Sequence, residues 1–189
     1  MESYVAALFG NQVLTPQMKG LISRETQSRV KALGIYQIIG GAIGILLICL
    51  GINRNTALTG IAILIYSIIF LFFAFSVLCG VLCLAVNKSC LRFSLINQIL
   101  QVVGFAMMGI IFHYVAGFYV TVGVNLTNSI EFRFGAGIST FQLYINTSNN
   151  ILELHFNLIA IGLVYWISKL LKTIKKEILI NKSFQFEEK

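Results

Sequence analysis

The chain lacks aspartate and has only seven acidic residues, one proline and four cysteines among its 189 residues. Without aspartate, every mechanism that requires this residue type is excluded. No cysteine lies beyond Cys90, so the second half of the chain cannot be a disulfide framework. The patterns HExxH, GxSxG, CxxC and the Walker loop are also absent. We therefore expect neither an enzymatic activity nor a cofactor.

What the chain has in abundance is apolar surface, since 57% of its residues are hydrophobic and 11% are charged. A soluble domain of this length could not bury so much apolar surface, and lipid is the expected solvent. Four apolar runs are long enough to cross a bilayer. They are residues 33–52, 57–86, 93–119 and 152–171. The sequence predicts an all-α integral membrane protein, a bundle of four transmembrane helices forming one domain.

The net charge of +7 is distributed unevenly along the chain. All basic residues except Arg54 and Arg133 lie before the first run, between the second and third, or from Lys169 at the end of the fourth run onwards. This positive-inside asymmetry places both termini in the cytoplasm. Segment 1–32 would then be cytoplasmic, with a short amphipathic helix near residues 15–29, and 172–189 would be a basic cytoplasmic tail. We expect anionic lipids, and not nucleic acid, to bind that tail.

The segment between the third and fourth runs, 120–151, changes from helical to alternating periodicity. SIEFRF (129–134) and TFQLYIN (140–146) each alternate apolar and polar residues, with the glycine-rich GAGIS (135–139) between them. This pattern predicts an antiparallel hairpin with one apolar face, turning at the glycines. NILELHF (150–156) alternates as well, so it is either a third strand of a β element covering about 120–156 or the start of the fourth helix.

Four side-chain amides are expected within the membrane, near the inner ends of the first and third helices. They belong to Gln37, Asn97, Gln98 and Gln101. In lipid such amides usually form hydrogen bonds between helices. The sharper alternative is that they line a polar path for permeation.

Small residues on the predicted helices indicate where helices approach closely. Gly40 and Gly44 form a GxxxG step on the first helix, and Gly109 lies on one face of the predicted third helix. We expect these glycines to pack against other helices. The pattern does not decide whether the contact lies within one chain or between copies.

One group of titratable residues suggests chemistry. His113 is expected near the outer end of the third helix, and Glu153 and His155 at similar depth before the fourth. If 151–157 is a strand, Glu153 and His155 project on one side. Two imidazoles and a carboxylate could bind a metal such as zinc or relay protons. The alternative is a pair of interfacial histidines bonded to loop backbone.

Two sequons, at Asn125 and Asn146, fall in the segment expected outside the membrane. Glycosylation at these positions would require a eukaryotic source, which the sequence does not establish.

Three stretches, ALGIYQIIGG (32–41), FSLINQILQ (93–101) and VTVGVNLTNS (120–129), resemble small uncharacterised bacterial four-span membrane proteins. This resemblance covers about residues 31–171 and implies a multi-pass protein of the bacterial inner membrane, without an activity. Leu33, Gly34 and Gln37 are also similar to the start of the first span in membrane-spanning four-domain subfamily A proteins. Those proteins carry cysteines in the second external loop, which this chain lacks.

Three functions remain open at this stage. The first is a non-enzymatic interaction or accessory subunit that binds a membrane-protein partner or a second copy. The second is a small oligomeric channel or transporter with the amides along its path. The third is an integral membrane enzyme that uses His113, Glu153 and His155.

Overall fold

A computed structural model describes residues 22–54, 60–87, 89–127, 129–144 and 151–187. These residues form four helices and one four-stranded antiparallel sheet. The helices are α1 (Arg24–Arg54), α2 (Gly60–Leu84), α3 (Cys90–Ile99) and α4 (Leu158–Glu187). The strands are β1 (Val103–Met107), β2 (Ile110–Asn125), β3 (Glu131–Tyr144) and β4 (Glu153–Asn157).

Within the described residues, two helices are long and apolar enough to cross a membrane. Their candidate spans are Arg24–Ile52 in α1 and Ala62–Leu84 in α2. Ser23 starts α1 as an N-cap, because its hydroxyl oxygen accepts a hydrogen bond of 3.2 Å from the Thr26 amide. Of the amphipathic helix expected near 15–29, residues 24–29 belong to α1, residues 22 and 23 precede it, and residues 15–21 lie outside the described residues.

The prediction of an all-α four-span bundle is wrong, because the chain has an α/β fold. The third run, 93–119, is helical only as far as Ile99 and then enters β1 and β2. Short apolar runs fit a buried strand as well as a helix by periodicity, and valine, isoleucine and aromatic residues after Val102 favour the strand. The fourth run, 152–171, is divided between β4 and α4.

A two-residue turn joins β1 to β2 and explains why the third run cannot be one helix. Met108 and Gly109 have φ values of 53° and 77°, and Met107 pairs with Ile110 on either side of them. Positive φ at both central residues is the requirement of the tight turn that matches strand twist. Gly109, expected as a helix-packing residue, belongs to this turn.

The predicted hairpin with a turn at GAGIS is also wrong, because EFRF, GAGIS and TFQLY, residues 131–144, form one continuous strand, β3. Its partner is the long strand β2, and the connection between them falls between Asn125 and Glu131. Gly137 lies beneath the Tyr119 ring, where an added Cβ would stand 2.8 Å from the hydroxyl oxygen. The glycines thus make room for side chains from β2 and do not turn the chain.

Asn157 ends β4 and begins α4, which settles the choice left open for residues 151–157. Its backbone amide donates to the Val102 carbonyl at 2.8 Å. Its side-chain oxygen accepts from the Ile159 amide at 3.1 Å, as an N-cap does. α4 then continues to Glu187 through most of 172–189, the segment expected as a basic tail.

The interior is arranged in two levels along α1 and α2. At the basic end, Val30 and Leu33 of α1 and Cys83 of α2 pack against α3 and α4. Further along, Ile48 of α1 and Phe73 of α2 pack against Tyr114 of β2. The sheet therefore occupies the place beside α1 and α2 where the outer halves of two further helices were expected.

Candidate functional site

The polar face of the sheet brings His113 and His155 together. His155 lies in β4 opposite Gly104 of β1 and Gly123 of β2. Residues directly opposite each other share a face of the sheet, so both glycines leave space on the histidine side. The two imidazole rings stack with centroids 6.0 Å apart and an interplanar angle of 24°. A Cβ at Gly104 would stand 2.8 Å from the His113 ring, so this stacking requires the glycine.

Glu153 joins this face because β4 projects it on the same side as His155, as expected for a strand. Its Oε1 atom lies 3.2 Å from His155 Nε2 and 3.2 Å from Arg133 Nη1. Neither approach has hydrogen-bond geometry; the contact with Arg133 is an ion pair, and the contact with His155 is one only when that imidazole is protonated. Arg133 reaches Glu153 across Gly123, which carries no side chain.

His113 is the more enclosed of the two histidines. Its pKa lies below the ordinary value because burial disfavours the charged ring and His155 stands beside it. Its Nε2 atom is buried and has no hydrogen-bond partner. The neutral imidazole can therefore bind a proton only at the expense of folding free energy.

The arrangement is a row of contacts and not a metal-ligand sphere. Across the part of the chain that the structure describes, no three histidine, cysteine or acidic side chains are placed to hold a metal ion. Glu153 is already engaged by Arg133 and His155. An open polar pocket of about 260 Å³ lies next to Glu153. Its lining residues are Asn125, Thr127, Ser129, Glu131, Arg133, Ile151 and Glu153.

All four amides predicted inside the membrane are buried, with exposures of 0–2%. Gln37 accepts a hydrogen bond of 2.9 Å from Ser94, which connects α1 to α3. Asn97 Oδ1 lies 3.1 Å from the Tyr114 hydroxyl, and Gln101 Oε1 accepts from the Ala116 amide at 2.9 Å. The amides thus connect helices to each other and to the sheet.

Gln98 differs from its neighbours because neither polar atom of its buried side chain has a partner. The Nε2 atom of Gln37 is also buried without one. Unpaired buried amides cost free energy, so they mark the least satisfied part of the interior.

The GxxxG step makes two different contacts. A Cβ at Gly40 would meet the backbone of Ala116 and Gly117, at 2.5 Å from the Gly117 amide nitrogen, so Gly40 packs against the sheet. Gly44 lies against the ring of Phe73 in α2. Both contacts lie within one chain, which the sequence left open. Gly34 of α1 and Gly80 of α2 also lie backbone to backbone, a contact that the GxxxG pattern does not indicate.

The apolar face of the sheet is covered over only part of its length. Near the turn with β1, Phe112, Tyr114 and Phe141 pack against Phe72 of α2. Among the described residues, no such aromatic packing covers the first half of β3, residues 131–137. Its large exposed apolar side chains are Phe132 (69%) and Phe134 (79%), with Ile130 (73%) just before the strand and Ile138 (46%) near the middle of the strand. An exposed patch of this kind typically marks an interaction surface.

Several residues of these sites were not predicted. Arg133 was noted only as an exception to the charge pattern, and Gly104, Gly123 and Ser139 were not considered individually. Only the strand register identifies these residues, because it places each of them opposite or beside a larger side chain. Of the two sequons, Asn125 ends β2, where its side-chain oxygen accepts from the Thr127 amide at 2.9 Å. Asn146 lies outside the described residues.

No protein-family model matches the chain, and neither a curated protein nor a solved structure matches it.

Proposed function

We propose that this chain is an integral membrane protein that acts as a non-enzymatic interaction or accessory subunit. The hairpin of α1 and α2 crosses the bilayer, and the sheet presents the first half of β3 to a protein partner. The observation that carries this proposal is the row of exposed apolar side chains on that half-strand, of which Phe134 is 79% exposed.

The membrane assignment is supported by the apolar side chains that α1 and α2 expose. Large hydrophobic residues are exposed along the length of both helices, where water would be an unfavourable neighbour. They include Ile35, Ile39, Leu46, Leu47, Leu50, Ile63, Leu64, Phe70, Leu71 and Leu78. The basic residues near the start of α1 and the end of α2 favour a cytoplasmic location for that end of the hairpin. A bacterial inner membrane is the setting that fits this orientation.

The burial of the amides argues for an interaction role over a channel. Gln37, Asn97 and Gln101 bond to neighbouring elements and do not line an open path. The contacts of Glu153 with Arg133 and His155 also argue against an enzyme. Glu153 is held by these two neighbours and is not placed as a general acid or base beside a substrate site.

The proposal is tested by photo-cross-linking in native membranes, with p-benzoylphenylalanine placed at Phe134. The matched control position is Tyr165 on α4, which is 72% exposed and aromatic as well. We expect a protein adduct from position 134 and none from position 165. Adducts with lipid alone at position 134, or equal protein adducts at both positions, would contradict the proposed role of β3.

A further inference from the structure

The first half of β3 is a free sheet edge. The strand order is β1-β4-β2-β3, and β1 pairs with both β4 and β2. Among the described strands, β3 is therefore the one with a neighbour on a single side. Its outer edge presents backbone N–H and C=O groups that a further strand could bind.

The sheet to which this edge belongs contacts α1, one of the helices proposed to cross the membrane. The Tyr36 hydroxyl donates to the Phe118 carbonyl at 3.1 Å, and Gly40 packs on Gly117, so β2 runs along α1. At membrane depth, irregular or open backbone is tolerated only where protein covers it. Any part of the β3 edge that reaches the bilayer therefore requires a protein neighbour and not lipid.

The sequence of β3 is complementary to itself in one antiparallel register. In a symmetric pair centred on Phe132, Glu131 of each copy lies opposite Arg133 of the other. Ile130 lies opposite Phe134 in the same register, and the two Phe132 side chains meet at the centre. Opposite charges and aromatic or β-branched residues in directly opposed positions stabilise antiparallel pairs.

Neighbouring registers lose this complementarity. A pair centred on Arg133 sets two guanidinium groups opposite each other, which is destabilising. A pair centred on Phe134 sets Arg133 opposite Gly135 and Glu131 opposite Gly137, so neither charge has a partner. Arg133 is 54% exposed although it contacts Glu153, and Glu131 is exposed although it accepts a hydrogen bond from Ser129, so both charges remain accessible to a second copy.

We propose that the partner of β3 is a second copy of this chain, paired antiparallel through β3 about a twofold axis at Phe132. The inference rests on the proposed function, because it names the partner of the same surface. A twofold interface uses one patch on both subunits, as this self-complementary stretch requires.

Cysteine cross-linking in native membranes tests the register. Phe132→Cys is made in a Cys49→Ser background, because Cys49 is exposed while Cys79, Cys83 and Cys90 are buried. At the axis the two new thiols lie opposite each other, so mild oxidation should give a covalent dimer. Phe134→Cys is the matched control, since its two copies would lie about 13 Å apart along the strands. A dimer from position 134 and none from position 132 would overturn the proposed register.

Charge reversal tests the pairing independently. Glu131→Arg and Arg133→Glu, each expressed alone, place like charges opposite each other, and the cross-link at position 132 should fall at least several-fold. When the two differently tagged variants are coexpressed, opposite charges face again, and the heterodimer should cross-link to near the original extent. If the coexpressed variants do not restore the cross-link at position 132, the proposed pairing is rejected.

The two proposals fail in different ways. If the photo-cross-linker at Phe134 captures a different protein and Phe132→Cys gives no dimer, the interaction role stands and the second copy is rejected. If neither probe gives a protein adduct, both proposals are rejected.

Discussion

Gly34 of α1 and Gly80 of α2 lie against each other, so that a Cβ at Gly34 would stand 2.7 Å from the Gly80 carbonyl oxygen. A Cβ at Gly80 would stand 2.6 Å from the Gly34 carbonyl oxygen. Each contact involves backbone, which cannot move aside as the end of a flexible side chain can. The crossing of α1 and α2 therefore depends on glycine at both positions.

Replacing either glycine of this pair with alanine should separate the two helices. Such overpacking costs about 1–3 kcal/mol, so Gly34→Ala and Gly80→Ala should each lower the unfolding temperature in detergent. Gly162→Ala in α4 is the control, because no atom lies within 4 Å of its added Cβ. That variant should be neutral or slightly stabilising. Equal unfolding temperatures for all three would contradict the close approach.

Ser139 should be essential for attaching the sheet to α1. Its hydroxyl oxygen accepts from the Gly117 amide at 3.0 Å, and its proton is donated to the Gly40 carbonyl at 2.8 Å. Ser139→Ala leaves both buried groups unpaired, at a cost of about 1–3 kcal/mol measured by denaturant or thermal unfolding. Ser67→Ala removes a bond within an exposed helical turn and should change stability little. A loss no larger than that of Ser67→Ala would show that Ser139 does not hold the sheet.

Two adjacent amides of α3 should respond in opposite ways to apolar replacement. Asn97 bonds to Ser76 and Tyr114, whereas Gln98 is buried with both polar atoms unpaired. Asn97→Leu should therefore destabilise the protein, and Gln98→Met should stabilise it, each by about 1–3 kcal/mol. Thermal unfolding of the two variants beside the original chain measures this. If Gln98→Met is as destabilising as Asn97→Leu, the Gln98 amide has a hydrogen-bond partner in the membrane.

Stability should depend on pH through His113. Its folded-state pKa lies below the ordinary 6.5 because burial and the neighbouring His155 disfavour the charged ring. The unfolded chain then binds the proton more readily, so the stabilisation is complete above pH 6.5 and falls as the pH drops below it. The slope contributed by one such group reaches at most about 1.4 kcal/mol per pH unit.

The matched comparison is between the original chain and His113→Gln, unfolded at a series of pH values from 7.5 to about 5. His155, Glu153 and Arg133 on the same face are kept in both proteins, so the two curves differ by the imidazole at position 113. The variant should show a shallower loss of stability in acid. Identical slopes would show that His113 is accessible to protons in the folded state.

Part of this structure follows from the sequence alone. The apolar runs of α1 and α2 are long and free of internal charge, so two helices long and apolar enough to cross a membrane could be predicted without tertiary information. The alternation in SIEFRF, TFQLYIN and NILELHF likewise indicated strands, and β3 and β4 are found there. The burial of Gln37, Asn97, Gln98 and Gln101 also follows from amides placed within apolar runs.

The remainder was decided by tertiary contacts. Residues 100–119 could continue a helix or form a strand by composition, and the choice was made by pairing with β3 and β4 and by the turn at Met108 and Gly109. The glycines of GAGIS are typical of a turn in sequence, but in the structure Gly137 gives space to the Tyr119 ring from the neighbouring strand. The meeting of His113 with His155 depends on strand register, which joins residues far apart in the chain and leaves no local periodic signal. Local pattern therefore determined which segments avoid water, and long-range pairing determined their form.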